Sequence, residues 1–279
     1  MRFRSLLYVP ADNPRFVAKA HERGADAVIL DLEDAVTPAN KLAARAALAE
    51  AAPAASRNGA RIFVRINAEP ELAADDAEAA CRAGAFGLYV PKARSAAGFV
   101  PIEERVSRAE AQIGRPPMRF VALVEDAAGL LEARAIAKLP RVMALSLGGE
   151  DFALATGAEP TPEVLQVPKL LVHYAARAED KLSFGLLRSV AGYADHDGLR
   201  EAARQAKRFG FDGATCVHPS GVAILNEGFL PSPEQRAWAE RVVDAMEMAE
   251  RGAVAVDGQM VDAPVLARAR AILGDLGGR

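Results

Sequence analysis

The chain carries only two cysteines in 279 residues, Cys81 and Cys216, in segments that read as a helix and a strand. A disulfide framework is therefore not expected, and reduced thiols suit a cytoplasmic protein. Basic residues are not in excess: 34 Lys and Arg stand against 37 Asp and Glu, for a formal net charge of −3. A nucleic-acid-binding surface needs a basic surplus to release counterions from phosphates, so that class is excluded; one small anionic molecule needs only a few local cations. No stretch approaches the roughly 18 uncharged apolar residues of a membrane span. The opening MRFRSLLYVPADNP joins basic residues to an apolar run, but Pro10 and Asp12 interrupt it short of signal-peptide length. Three catalytic signatures are also missing. There is no G-x-S-x-G elbow, no P-loop, and no Gly-rich nucleotide loop after the first strand, which disfavours serine hydrolases, nucleotidases and dinucleotide enzymes. His21, His173 and His196 lack metal-ligand spacing, and His218 before Pro219 reads as a hydrogen-bonded structural histidine, so no zinc motif is present.

What the chain has is alternation. Short runs rich in Val, Ile, Leu and Phe are separated by Ala-rich segments of helical period, the pattern of parallel β/α units. Strands are predicted at 3–9, 27–32, 61–66, 87–91, 119–125, 142–147, 184–190 and 213–218. Helices are predicted near 13–23, 72–83, 103–113, 127–138 and 163–179, with Pro168 expected to kink the last or delay its start. Thr37 and Pro38 read as an N-cap and first helical residue. Leu199, Ala202, Ala203, Ala206 and Phe209 form an apolar stripe that stops at Gly210. Eight strands with helical followers is the count of a closed (β/α)8 TIM barrel, expected over residues 1–230; an open doubly wound sheet is the runner-up. Residues 231–279 form a C-terminal helical extension, with helices at 233–251 and 264–276 around VDGQMVD, expected to act as a lid or to contact an adjacent subunit.

In a parallel barrel the chemistry sits at the carboxyl ends of the strands. Those ends carry Asp31, Glu33 and Asp34, then Arg65 and Asn67, Lys92, Glu125 and Asp126, Glu150 and Asp151, and His218. Glu125 and Asp151 follow consecutive strands, which lie about 4.8 Å apart, so both carboxylates can face one ligand. Two carboxylates with open positions suit Mg2+, which keeps water or takes substrate oxygens. Gly148 and Gly149 let the turn fold tightly and a ligand approach the backbone, placing Gly149 and Glu150 against the substrate. Asp126, followed at once by an Ala-rich helix, reads as an N-cap. Lys92 is either a positive charge near the site or, if buried, a Schiff-base lysine.

The stretches RSLLYVPADNPRF, ADAVILDLEDAV with Lys41 and Arg45, VRIN, VPK, LVEDAAGL, LSLGGEDFA, GFDGATCVHPSGV and VDGQMVDAPVLARA occur in this order. Together they resemble the HpcH/HpaI aldolase and citrate lyase superfamily over nearly the whole chain, and its citrate lyase beta-subunit-like branch with the malyl-CoA and citramalyl-CoA lyases in particular. The resemblance implies a barrel, commonly a trimer or hexamer, that binds Mg2+, or Mn2+ in its place, through Glu125 and Asp151. It implies that Arg65 meets the substrate carbonyl or carboxylate, that Glu33 and Asp34 support the metal's water shell beside the substrate, and that Asp262 arrives from an adjacent subunit as acid or base. Arg65, Asp34 and Asp262 are thus the expected catalytic residues. Two departures stand out: Asp126 replaces the family's usual Thr, and 159–180 carries Pro162 and Pro168 beside the expected substrate position.

The reaction implied is reversible cleavage of a β-hydroxyacyl-CoA, such as malyl-CoA or citramalyl-CoA, to acetyl-CoA and a 2-oxo acid. The alternatives are a citrate lyase beta subunit acting on an acyl carrier protein thioester, a metal-independent 2-oxo acid aldolase using Lys92, and a barrel kept for binding without turnover.

Overall fold

The computed structural model describes residues 2–248 and 253–274. The chain divides into two compact units, Arg2–Asn226 and a second that begins at Glu227. Among the described residues the first unit holds eight parallel strands: β1 (Ser5–Pro10), β2 (Ala27–Asp31), β3 (Arg61–Arg65), β4 (Gly87–Val90), β5 (Arg119–Val124), β6 (Val142–Leu147), β7 (Leu182–Phe184) and β8 (Ala214–Cys216). Their order is β7-β6-β5-β4-β3-β2-β1-β8, and a parallel bridge from Phe184 to Gly213 joins the two edges. The expected (β/α)8 barrel is therefore the observed fold, and the open sheet is not. Around it run α1 (Pro14–Ala20), α2 (Lys41–Ala55), α3 (Pro70–Arg82), α4 (Val100–Ile113), α5 (Ala127–Ala137), α6 (Gly149–Thr156), α7 (Pro162–Arg177), α8 (His196–Phe209) and α9 (Ser220–Gly228).

Strand alternation positions the site. Side chains two residues apart share a face of a strand. One face of each strand fills the barrel: Phe3, Leu6, Ile29, Phe63, Tyr89, Val121, Ala144 and Phe184 belong to one buried cluster. Phe63 anchors it, meeting Phe3 edge-on at 5.6 Å between ring centroids and Tyr89 at 5.7 Å. Two residues further along the same faces come Tyr8, Asp31, Arg65, Leu123, Ser146 and Leu186. All six line one cavity at the carboxyl ends of the strands. Polar residues thus follow core residues in phase, and the barrel floor is also the floor of the site.

Four local expectations change. Strand seven was expected over 184–190 and is only Leu182–Phe184. The apolar residues beyond it, Leu186 and Leu187, are buried in a loop, and Gly185 N donates to Gly213 O at 2.9 Å as the last tie to the sheet. Pro168 neither breaks nor delays α7: the helix starts at Pro162 behind Thr161, whose hydroxyl accepts from Val164 N, and Pro168 is buried within it at the cost of one backbone hydrogen bond. Thr37 and Pro38 open a single 3-10 turn, and α2 starts at Lys41. The segment after β6, read as a turn, forms the extra helix α6 at once, so Glu150 and Asp151 lie in its first turn, where carboxylates suit the helix dipole.

In the second unit, α10 (Pro233–Glu247) opens with a capping box between Ser232 and Gln235. The VDGQMVD connector is an antiparallel hairpin, β9 (Val254–Val256) and β10 (Gln259–Val261), turning through Asp257 and Gly258 at φ 51° and 75°. Asp-Gly at such a turn is the type I′ signal. The helix α11 (Ala263–Gly274) follows. The expected helix ends at 251 and 276 lie outside the described residues.

Phe63→Ala should destabilise the protein by about 3–5 kcal/mol, since it empties the centre of the barrel. The midpoint of urea unfolding measures this; a loss below about 1 kcal/mol would contradict the role given to the ring.

Candidate active site

Asp31, the last residue of β2, is 1% exposed and organises the mouth of the cavity. Its Oδ1 accepts from Glu33 N at 2.9 Å and its Oδ2 from Ala35 N at 3.3 Å, which folds the LEDA turn. The same two oxygens take a bidentate pair from Arg65 at the end of β3: Nε at 2.7 Å and Nη2 at 2.6 Å. Arg65 Nη1 donates to Asp34 Oδ2 at 2.9 Å and lies 3.0 Å from Glu33 Oε2. The guanidinium also lies over the Tyr8 ring, 5.0 Å from its centroid. Burial opposes the charge on Arg65, but its bonds to Asp31 outweigh this and hold its pKa above the ordinary value. Arg65 is thereby a fixed cation with spare N–H groups on Nη1 and Nη2.

Across the cavity stand the two candidate metal carboxylates. Glu125, directly after β5, is 4% exposed; its Oε2 accepts from Lys92 N at 2.7 Å and its Oε1 has no hydrogen-bond partner. Burial pushes its pKa up to about 8; the Lys92 N–H opposes this, and the charges of Glu33 and Asp151 add to it. Glu33 is raised to about 7, again by burial, and neither of its oxygens makes a hydrogen bond. Asp151 lines the same cavity from the first turn of α6. Gly148 takes ordinary extended dihedrals, so its lack of a side chain serves space instead: a Cβ there would lie 2.8 Å from Glu125 Cγ and 2.9 Å from its Oε1. Gly149 makes room in the same way for Leu165, 2.9 Å from where its Cβ would be. The glycines admit neighbouring side chains of this chain, a different reason from the tight turn expected.

The cavity encloses about 400 Å³ and brings together Asp31, Asp34, Arg65, Glu125, Gly149, Glu150 and Asp151. Among the described residues no three His, Cys, Asp or Glu side chains form a complete metal cage. Crowded carboxylates, among them Glu33 with both oxygens buried and making no hydrogen bond, fit a hard divalent cation that keeps water on its remaining positions. Lys92 is half-exposed, in the left-handed region at φ 48°, with Nζ 3.5 Å from Glu33 Oε1. Asp126 caps α5 by accepting from Gly129 N at 2.8 Å, and it pairs with Arg94. His218 stacks on Tyr193 and bonds Ser220 Oγ at 2.8 Å. Asp262 belongs to the second unit, where its Oδ1 accepts from Val265 N at 3.4 Å as a cap of α11.

Sequence reasoning gave no role to Asp31, Tyr8 or Lys169. The signals were present. Asp31 and Tyr8 follow core positions of their own strands by two residues. Lys169 shares the buried face of α7 with Leu165, Val172, His173 and Ala176, a helical spacing with one cation in an apolar stripe.

The family model described as HpcH/HpaI aldolase/citrate lyase matches residues 4–219. A citrate lyase subunit beta-like protein of Mycobacterium tuberculosis is 36% identical over 275 residues, 96% of this chain and 93% of that protein. A (3S)-malyl-CoA thioesterase of Cereibacter sphaeroides is 34% identical, covering 93% of this chain and 90% of its own. Among solved structures, CitE of M. tuberculosis in complex with magnesium, acetoacetate and coenzyme A superposes with a TM-score of 0.82 at 34% identity, covering 99% of each chain.

Glu125 has a raised folded pKa, so its contribution to stability is complete below its ordinary value of 4.5 and is lost as pH rises towards about 8. The metal-free protein should therefore lose stability between about pH 5 and 8, and Glu125→Gln should flatten that slope. Denaturant titrations across this range test it; equal slopes in both proteins would refute the assignment.

Proposed function

The chain belongs to the HpcH/HpaI aldolase/citrate lyase family, and we propose that it is a magnesium-dependent carbon–carbon lyase. Its substrate would be a β-hydroxyacyl-CoA, such as malyl-CoA or citramalyl-CoA, cleaved reversibly to acetyl-CoA and a 2-oxo acid. One observation carries this reading: Glu125, Asp151 and Arg65 line a single cavity. Magnesium and coenzyme A in the related CitE support it.

Glu125 and Asp151 would hold Mg2+, with Glu33 and Asp34 towards its water shell. When bound, the ion supplies Lewis-acid polarisation of the oxygen that turns from hydroxyl to carbonyl. Cleavage breaks the carbon–carbon bond, passes the hydroxyl proton to a cavity carboxylate, a role assigned to Asp34, and leaves the bonding pair as an enolate on the acetyl thioester. Arg65 is already oriented by Asp31, Asp34 and Tyr8, so its spare N–H groups can meet that oxyanion without reorganisation, an effect of about 3 kcal/mol for one well-placed donor. Gly149 and Glu150 would border the substrate at the start of α6. The proton delivered to the acetyl carbon is assigned to Asp262, brought by a neighbouring subunit as the resemblance implies.

The similarity to a malyl-CoA thioesterase favours one second reading, hydrolysis of the thioester in the same cavity. The products separate the two. Incubation with malyl-CoA, citramalyl-CoA and citryl-CoA should release acetyl-CoA and a 2-oxo acid, and EDTA should abolish the release. Free coenzyme A with an intact hydroxy acid would establish hydrolysis, and EDTA-resistant cleavage would overturn the metal-dependent mechanism.

Arg65→Ala should lower kcat on the order of 10²–10³-fold while Mg2+ affinity stays within about threefold. Near-normal turnover would remove Arg65 from the mechanism. Gly148→Ala should weaken Mg2+ binding by about tenfold or more, because the new methyl displaces Glu125. Mg2+ titration calorimetry measures this, and unchanged affinity would separate Glu125 from the metal.

A further inference from the structure

Among the described residues, Lys169 is the one charged side chain of the cavity wall without a task in this mechanism. It rises from α7, is 4% exposed, and reaches the carboxyl end of β6, where Nζ donates to Leu147 O at 3.3 Å. Among the described residues no carboxylate forms an ion pair with it: the charge of Glu150 acts on Lys169, but its carboxylate accepts from Ser189 Oγ. An ammonium has three N–H groups, and one long bond to a carbonyl leaves two unspent. A buried charge in that state is costly unless something completes it. Ser146, 5% exposed and one residue before Leu147, lines the same cavity, and Thr215 of β8 adds a second hydroxyl to its lining. Hydrogen-bond donors therefore collect on β6, β8 and α7. Arg65 stands on β3, three strands from β6 in the sheet.

Burial lowers the Lys169 pKa to about 8 and Glu150 opposes the shift, so the amine is mostly protonated at neutral pH but poorly compensated. The metal carboxylates and Arg65 suffice for the reacting carboxylate and its neighbouring oxygen. The unspent donors fit a second anionic group at the far end of the same molecule. Resting on the reading that this cavity binds a 2-oxo acid with magnesium, we propose that Lys169 is its specificity-determining residue, binding a second carboxylate so that dicarboxylic 2-oxo acids of the oxaloacetate type are preferred to monocarboxylic ones. In the cleavage direction the matching substrate is a hydroxyacyl thioester with two carboxylates, which narrows the proposed substrate from malyl-CoA and citramalyl-CoA, with one free carboxylate each, to a citryl-type thioester. Its tertiary alcohol carbon becomes the carbonyl, and the carboxylate held by Lys169 takes no part in bond breaking.

The test compares freshly dissolved oxaloacetate with pyruvate, two acids that differ by one carboxylate, by calorimetry in saturating Mg2+. The wild-type protein should bind oxaloacetate on the order of 10- to 100-fold more tightly than pyruvate, the range of one hydrogen-bonded charge. Lys169→Met should reduce that preference to within about twofold and leave pyruvate affinity unchanged, whereas Lys169→Arg should keep it. Pyruvate binding with no preference in the wild type would overturn the inference alone, without any variant. A Lys169→Met protein that keeps the preference, or that weakens both acids equally, would show that Lys169 only pegs α7 to β6. Failure of both acids to bind would overturn the functional reading and this inference together.

Discussion

The two-pronged pair between Asp31 and Arg65 is the interaction on which the rest of the site depends. Both partners are nearly buried, so neither charge is solvated, and the geometry must supply what water does not. It does so with both oxygens of Asp31 and two nitrogens on one edge of the guanidinium, while Asp34 takes the third nitrogen and Tyr8 closes one face. Breaking one side of such a pair costs about 3–5 kcal/mol, because the other charge is left stranded. The pair also links elements: Asp31 folds the turn that carries Glu33 and Asp34, so the ends of β2 and β3 move as one piece.

Arg65 is hydrogen-bonded to Asp31 and Asp34 and ion-paired with Glu33, so the buried carboxylates of the cavity outnumber the cations that face them. Glu33 and Glu125 are both held above their ordinary values by burial first; the charges of Asp34 and Asp31 add to the shift at Glu33, and those of Glu33 and Asp151 add to it at Glu125. Lys92 answers part of this from the rim, but it is half-exposed and 3.5 Å from Glu33. An interior in which carboxylates prefer to be protonated is one in which a divalent cation has the most to gain, since it replaces protons at the same oxygens. The glycine at 148 fits this arithmetic: it lets a second carboxylate, Asp151, follow β6 closely without driving Glu125 away.

The barrel was legible because its signal is redundant. Eight apolar runs in alternation with helices each suggest little alone, yet their order leaves few topologies. The strand ends were legible for the same reason, since a charge in phase with core residues has only the carboxyl-end cavity to face. Length and context were less so. Leu186 and Leu187 carry the composition of a strand but pack as a loop, because Phe184 is the last residue able to pair within the sheet. Pro168 reads as a residue that kinks α7 or delays its start, yet the helix begins ahead of it at Pro162 and buries it. Lys169 escaped because a cation on an apolar face is visible only after the whole of α7 is phased. The 257–258 hairpin escaped although Asp-Gly announces it, because the flanking strands are three residues each.

Lys92 shows why residue type alone misleads about chemistry. A Schiff-base lysine must be neutral to attack a carbonyl, which calls for desolvation or a neighbouring cation. Here desolvation is the largest single influence and lowers the pKa of Lys92, but the carboxylates of Glu33, Glu125 and Asp34 together outweigh it, raise the pKa and keep the amine charged. Its backbone matters more: at φ 48° the chain turns in the left-handed region, at a strain cost of about 1–3 kcal/mol, and its N–H is thereby aimed at Glu125 Oε2, 2.7 Å away. That bond anchors one oxygen of Glu125 and leaves the other free to face a ligand. The lysine after VP therefore argues against an imine mechanism and for a carboxylate held ready from one side, which is the arrangement a metal requires.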